Sequence, residues 1–184
     1  MAPMTSANAH YYSRHEATLQ ACALIASSLL FLIASSLQHH IKLTATVVGG
    51  GIMLILLFLH TYFSILRFSI WTSKYDVPQT LFNIMLVISY FFTAYMSMWH
   101  ITLFFVGMLT IFLVATWKYS LLARGHAFQE KILFKRNIDF LALPVLIVLI
   151  VLSHAGHVIP AIVIGTLLYL VGTYLFFFVM PLYS

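Results

Sequence analysis

Between Ser73 and Lys118 two apolar runs, each long enough to cross a lipid bilayer as a helix, are separated only by Met98-Trp99-His100. A membrane helix needs roughly 20 apolar residues to cross about 30 Å of hydrocarbon, and a connection this short makes the two helices antiparallel neighbours. Pro78 follows the charged stretch Ser73-Lys74-Tyr75-Asp76 and stands where a first helical residue would. Its missing N–H costs nothing there, because the first N–H groups of a helix lack intrahelical partners in any case. The stretch reads as a complete helical hairpin of bilayer dimensions.

The rest of the chain repeats this pattern. Apolar runs at about 17–37, 45–66, 78–97, 100–122, 138–153 and 160–180 predict six transmembrane helices in a single membrane domain covering residues 1–184. Hydrophobic residues make up 62% of the chain and charged residues 7%, against about a quarter charged in a soluble domain, so the expected class is an all-α integral membrane protein. The fifth run is the weakest. Asp139 opens it and Pro144 interrupts it, which predicts a short or kinked helix unless neighbours satisfy the freed carbonyls. Cys22, the single cysteine, falls inside the first run, so no intramolecular disulfide can form. The polar segment before that run lacks the basic start of a secretory signal, and the run is expected to stay as a span.

Orientation follows from the basic residues, which accumulate in cytoplasmic loops. With six spans, Arg14, Arg67, Lys74, Lys118, Arg124, Lys131, Lys135 and Arg136 fall on one side and Lys42 alone on the other. Both termini are therefore expected in the cytoplasm, with the protein in a bacterial inner membrane or a plasma membrane. The segment from Lys118 to Asp139 mixes Leu121, Leu122, Phe128, Ile132 and Leu133 with charges, as a helix lying along the inner surface would. The formal charge of +5 does not point to nucleic acid, because the basic residues are interspersed between apolar runs instead of forming a stripe with aromatics. The expected partners are the lipid bilayer and further copies or other membrane subunits, for which the sixteen Phe offer flat apolar surface.

A base precedes an acid at three places, Arg14-His15-Glu16, Lys74-Tyr75-Asp76 and Arg136-Asn137-Ile138-Asp139. A polar turn follows each at His40, His100 or His157, and then a glycine at Gly49, Gly107 or Gly165. Three tandem hairpins are the expected architecture, although any membrane hairpin needs charges at its base and a polar tip.

Six spans gather His39, His40, His100, His154 and His157 on the outer side and every acid on the inner side. Three readings follow: interfacial turn residues, sensors of external pH, or ligands for haem or a transition metal, since imidazole titrates near neutrality and is the commonest metal ligand. No Cys, Asp or Glu accompanies them outside. His60 and Asn83 lie at comparable heights in the second and third runs, where they can pair across helices. Gly49, Gly107, Gly165 and Gly172 are candidate packing positions, and Thr102, Thr110, Thr116, Tyr169, Thr173 and Tyr174 a thin polar lining. No buried carboxylate or embedded Lys or Arg is expected within a span. Nor is there a nucleophile elbow, a phosphate loop or a zinc-protease motif, so no catalytic residue is assigned. Transport or channel activity modulated by external pH leads the readings, ahead of an accessory subunit of a larger complex and a haem or metal protein.

Overall fold

The computed structural model describes residues 45–68, 77–97, 100–124 and 129–179, with the isolated helical positions Leu19, Cys22, Ala23 and Ala26 before them. Among the described residues the chain is all-helical and contains no strand. Five helices follow one another: α1 (Ala45–Phe68), α2 (Val77–Met96), α3 (Ile101–Leu122), α4 (Gln129–His154) and α5 (Val158–Tyr174), the last continuing into one π-helical turn at Leu175–Val179. The expected run 17–37 lies outside the described residues except at those four positions.

Helices α1, α2, α3 and α5 form in predominantly apolar sequence, where few polar side chains compete with the backbone. Several hydroxyls fold back on their own helices: Ser89 donates to the Met85 carbonyl at 2.8 Å, Thr93 to Ser89 at 2.7 Å, Ser120 to Thr116 at 2.8 Å and Thr166 to Ile162 at 2.9 Å. Bonds of this kind let a hydroxyl sit in apolar surroundings without an unmet donor. Pro144 is exposed on α4, and the helix runs through it for 26 residues.

Helix α3 packs on both α2 and α4 and touches α1, while α5 joins α4 to α1. Phe104 and Phe105 of α3, Met53 and Leu57 of α1, and Leu146 and Leu149 of α4 are essentially inaccessible and form the centre of the core. The most extensive packing is between α3 and α4, across the gap between the expected hairpins and not within either one.

Glycines allow the closest approaches. A Cβ on Gly107 would overlap the Thr93 side chain of α2, one on Gly165 would meet Met53 of α1, one on Gly49 would strike Ile162 of α5, and one on Gly50 would run into the carbonyl of Ser97. Gly172, by contrast, faces open space.

Large apolar side chains line much of the described surface. Ile88 is 63% exposed, Leu141 68% and Val151 62%. Two helices, α3 and α4, are long and apolar enough to cross a membrane.

Helix α4 departs most from expectation. It starts at Gln129 and not at 138, so it is neither short nor preceded by a separate surface helix. Leu121 and Leu122 end α3, Ile132 and Leu133 lie in the first turns of α4, and Phe128 falls outside the described residues. The charges of Lys131, Lys135, Arg136 and Asp139, which suggested a loop, are carried within a helix.

Candidate functional site

The alternation of helix directions gives the bundle two ends. The tip carries Ser97, His100 and the turn at 155–157; the base carries the C-terminal ends of α1, α3 and α5 and the N-terminal ends of α2 and α4.

Ionisable side chains meet in the basal half. Lys135 and Asp139 are one helical turn apart on α4, and the ammonium is bonded to carboxylate Oδ1. The pair is fully enclosed, Lys135 being 5% and Asp139 1% exposed. Lys135 also lies over the ring of Tyr119 in α3, 5.7 Å from its centroid, a distance at which the π face attracts a cation. Asp139 Oδ2 is buried with no hydrogen bond among the described residues. A buried charge is retained only when paired and hydrogen-bonded, and here half of the carboxylate is satisfied and half is not.

Polar groups of the other helices surround this pair. Thr61 of α1 donates to the Tyr90 hydroxyl of α2 at 3.3 Å, and both side chains are buried. Lys118 of α3 donates to Asn83 Oδ1 of α2 at 2.5 Å. His60 of α1 lies with Nδ1 3.4 Å from the Thr173 hydroxyl, and its ring meets Tyr169 of α5 edge to face at 6.2 Å. The Tyr169 hydroxyl donates to Met108 Sδ at 3.1 Å.

Two clefts meet at this cluster. The first, of about 50 Å³, is bounded by His60, Thr61, Tyr90, Lys118, Lys135 and Asp139 among others. The second, of about 180 Å³, lies on the α4–α5 side and is mostly apolar, its walls including Leu141, Leu168, Val171 and Leu175. His60, Phe112 and Asp139 border both. Asp139 is the one acid in either wall.

The structure places the expected site residues as follows. His60 and Asn83 have different long-range partners, Thr173 and Lys118. The expectation that no carboxylate or ammonium would be embedded among the helices is corrected by Asp139 and Lys135. What hid them was their neighbourhood, Lys-Arg-Asn-Ile-Asp, which looks like a loop; the available signal was the i, i+4 spacing, which neutralises two charges on one helical face. His100, His154 and His157 are exposed at the tip, His100 and His157 standing immediately before α3 and α5 without a side-chain capping bond. His39 and His40 lie outside the described residues. Among the described residues no group of three His, Cys, Asp or Glu side chains comes close enough to hold a metal ion. Gly172 is part of the apolar cleft, whereas Gly49, Gly107 and Gly165 are packed against neighbouring helices. Thr110 is exposed and bonds its own helix at Val106, 3.0 Å away. Tyr174 stacks on Phe178 at 5.6 Å.

The chain matches no family model, no curated protein and no solved structure.

Proposed function

We propose that the protein is a six-span integral membrane protein of transport or channel type, with both termini in the cytoplasm and the basal end facing inward. Support for membrane placement comes from the surface: side chains such as Ile88, Leu141 and Val151 point outward, and soluble proteins rarely expose contiguous apolar area on this scale. Helix α4, at 26 residues, is about 39 Å long at 1.5 Å per residue, more than the roughly 30 Å hydrocarbon layer. Its first turns then project into the inner headgroup region, and Asp139 lies roughly 15 Å along it from Gln129.

The observation that carries transport over a passive structural role is the polar cleft around the embedded pair Lys135–Asp139. Ionisable side chains are expensive within hydrocarbon and mark solute or proton routes when they line a cavity. An accessory subunit packed solid between partners has no use for such a cleft. His100, His154 and His157, exposed at the outward tip, are the groups through which external pH modulates the activity in this reading.

Flux tests the proposal. The purified full chain, reconstituted in vesicles, is expected to accelerate the movement of protons, alkali ions or small neutral solutes in dye and light-scattering assays, and K135M/D139L is expected to remove that acceleration. Rates equal to those of protein-free vesicles for every solute, together with a stoichiometric copurifying partner, would move the protein to the accessory-subunit class. Topology is checked separately in a Cys22→Ser background: a cysteine introduced at Arg124 should react with impermeant reagent only from the cytoplasmic side.

A further inference from the structure

We infer that the apolar cleft between α4 and α5 is a binding site for a neutral amphiphile, an apolar body carrying a hydroxyl, whose O–H donates to Asp139 Oδ2. This goes beyond the transport reading by assigning a ligand site. It rests on that reading for the hydrocarbon around the cleft, but concerns binding and not flux.

Three observations converge on it. The first is the unmet acceptor: Asp139 Oδ2 is buried without a hydrogen bond among the described residues, while its sister oxygen is held by Lys135. An ionised carboxylate has room for about four hydrogen bonds, and leaving a buried acceptor unmatched is costly. A donor from a ligand removes that cost.

The second is shape and polarity. Asp139 and His60 contribute the polar corner of a cleft whose other walls include Tyr169, Phe112, Leu141, Leu168, Val171 and Leu175. Its cavity volume of about 180 Å³ is many times the roughly 10–15 Å³ that a single water needs. Gly172 in the wall has open space where a side chain would project, and the π-helical turn begins at the last of these residues, Leu175. Single π turns occur often at functional sites.

The third is charge, which selects among donors. The cavity system already contains two ammonium groups, Lys118 and Lys135, against the single carboxylate of Asp139. A ligand ammonium would add a third cation in a medium where like charges repel strongly. A ligand carboxylate would present acceptors to an acceptor. A hydroxyl brings the donor without net charge.

The test uses the full-length chain in lipid nanodiscs and a diazirine-bearing long-chain alkanol as photolabel, with attachment sites mapped by mass spectrometry. Label is expected on Leu141, Leu168 or Val171, and decanol should compete for it about tenfold better than decyl methyl ether, which keeps the oxygen and loses the donor. That ratio corresponds to one hydrogen bond to a charged group. Decylamine and decanoate should compete no better than the ether.

K135M/D139L removes acceptor and ion pair together, so no lone buried charge remains, and should abolish the preference for alcohol over ether. Gly172→Leu fills the cleft without touching the charged pair and should suppress labelling outright; it keeps the test decisive should the double variant fail to fold. Equal competition by alcohol and ether, tightest competition by amine or carboxylate, or label confined to other surfaces would each overturn the inference. A vesicle experiment without flux combined with alcohol-selective labelling would remove the transport reading and leave the site standing.

Discussion

The two ends of the bundle hold opposite kinds of ionisable group. At the tip, His100, His154 and His157 are exposed beside helix ends and turns. In the basal half, Lys135 and Asp139 are enclosed, with His60, Lys118 and Tyr90 around them. The tip is conspicuous in sequence and weakly constrained in structure, and the basal cluster is the reverse. Abundance of a titratable residue type is therefore a poorer guide to a site than the work needed to keep one such residue out of water.

The largest expected effect tests the buried side of this contrast. Lys135→Met leaves Asp139 as an uncompensated charge and should cost about 3–5 kcal/mol of stability, read as denaturant unfolding in detergent. K135M/D139L should recover most of that loss, because apolar replacement of a whole buried pair is often neutral. A single variant as stable as the parent would erase the distinction between the two ends.

Gly107→Leu comes next. A Cβ alone already overlaps Thr93 at that position, so overpacking between α2 and α3 should cost about 1–3 kcal/mol in the same assay. Gly156→Ala follows, and it probes the tip through its backbone. Gly156 has φ +88, and the bonds from its N–H to the Ser153 carbonyl at 3.2 Å and from the His157 N–H to Leu152 at 2.9 Å form a Schellman cap closing α4. A side chain in that left-handed conformation costs about 1–2 kcal/mol.

Smallest is the histidine set itself. Replacing His100, His154 and His157 together by Gln should change stability by less than about 0.5 kcal/mol per site, and added zinc should leave the melting temperature unmoved. A zinc-dependent rise lost in the triple variant would reinstate the tip as a ligand site and sharpen the comparison from the other side.

The helices were legible where charge and turn residues bracketed the apolar runs. The runs 45–66, 78–97 and 100–122 appear as Ala45–Phe68, Val77–Met96 and Ile101–Leu122. The run at 138–153 hid the start of α4 at Gln129, because a window of apolar residues ends at the first charge, whereas a helix ends only where its backbone does. Lys135 and Asp139 cancel one another one turn apart, and a count of charges does not see the cancellation. The pairing of Asn83 with Lys118 is equally out of reach, since the sequence places Lys118 at the inner terminus of its run, while in the structure it donates across to α2. The clefts depend on distances between helices distant in sequence, for which periodicity carries no signal.

That Lys135 and Asp139 are partners within one helix bears on how the protein is made. A charged side chain entering the bilayer core through the insertion machinery costs about 2.5–3.5 kcal/mol, and a bridge assembled between separate spans would leave each half exposed until the second had arrived. Here both members emerge from the ribosome within one turn of each other, already matched. In the proposed membrane placement, helix α4 thus partitions into lipid by itself, with tertiary assembly left to follow.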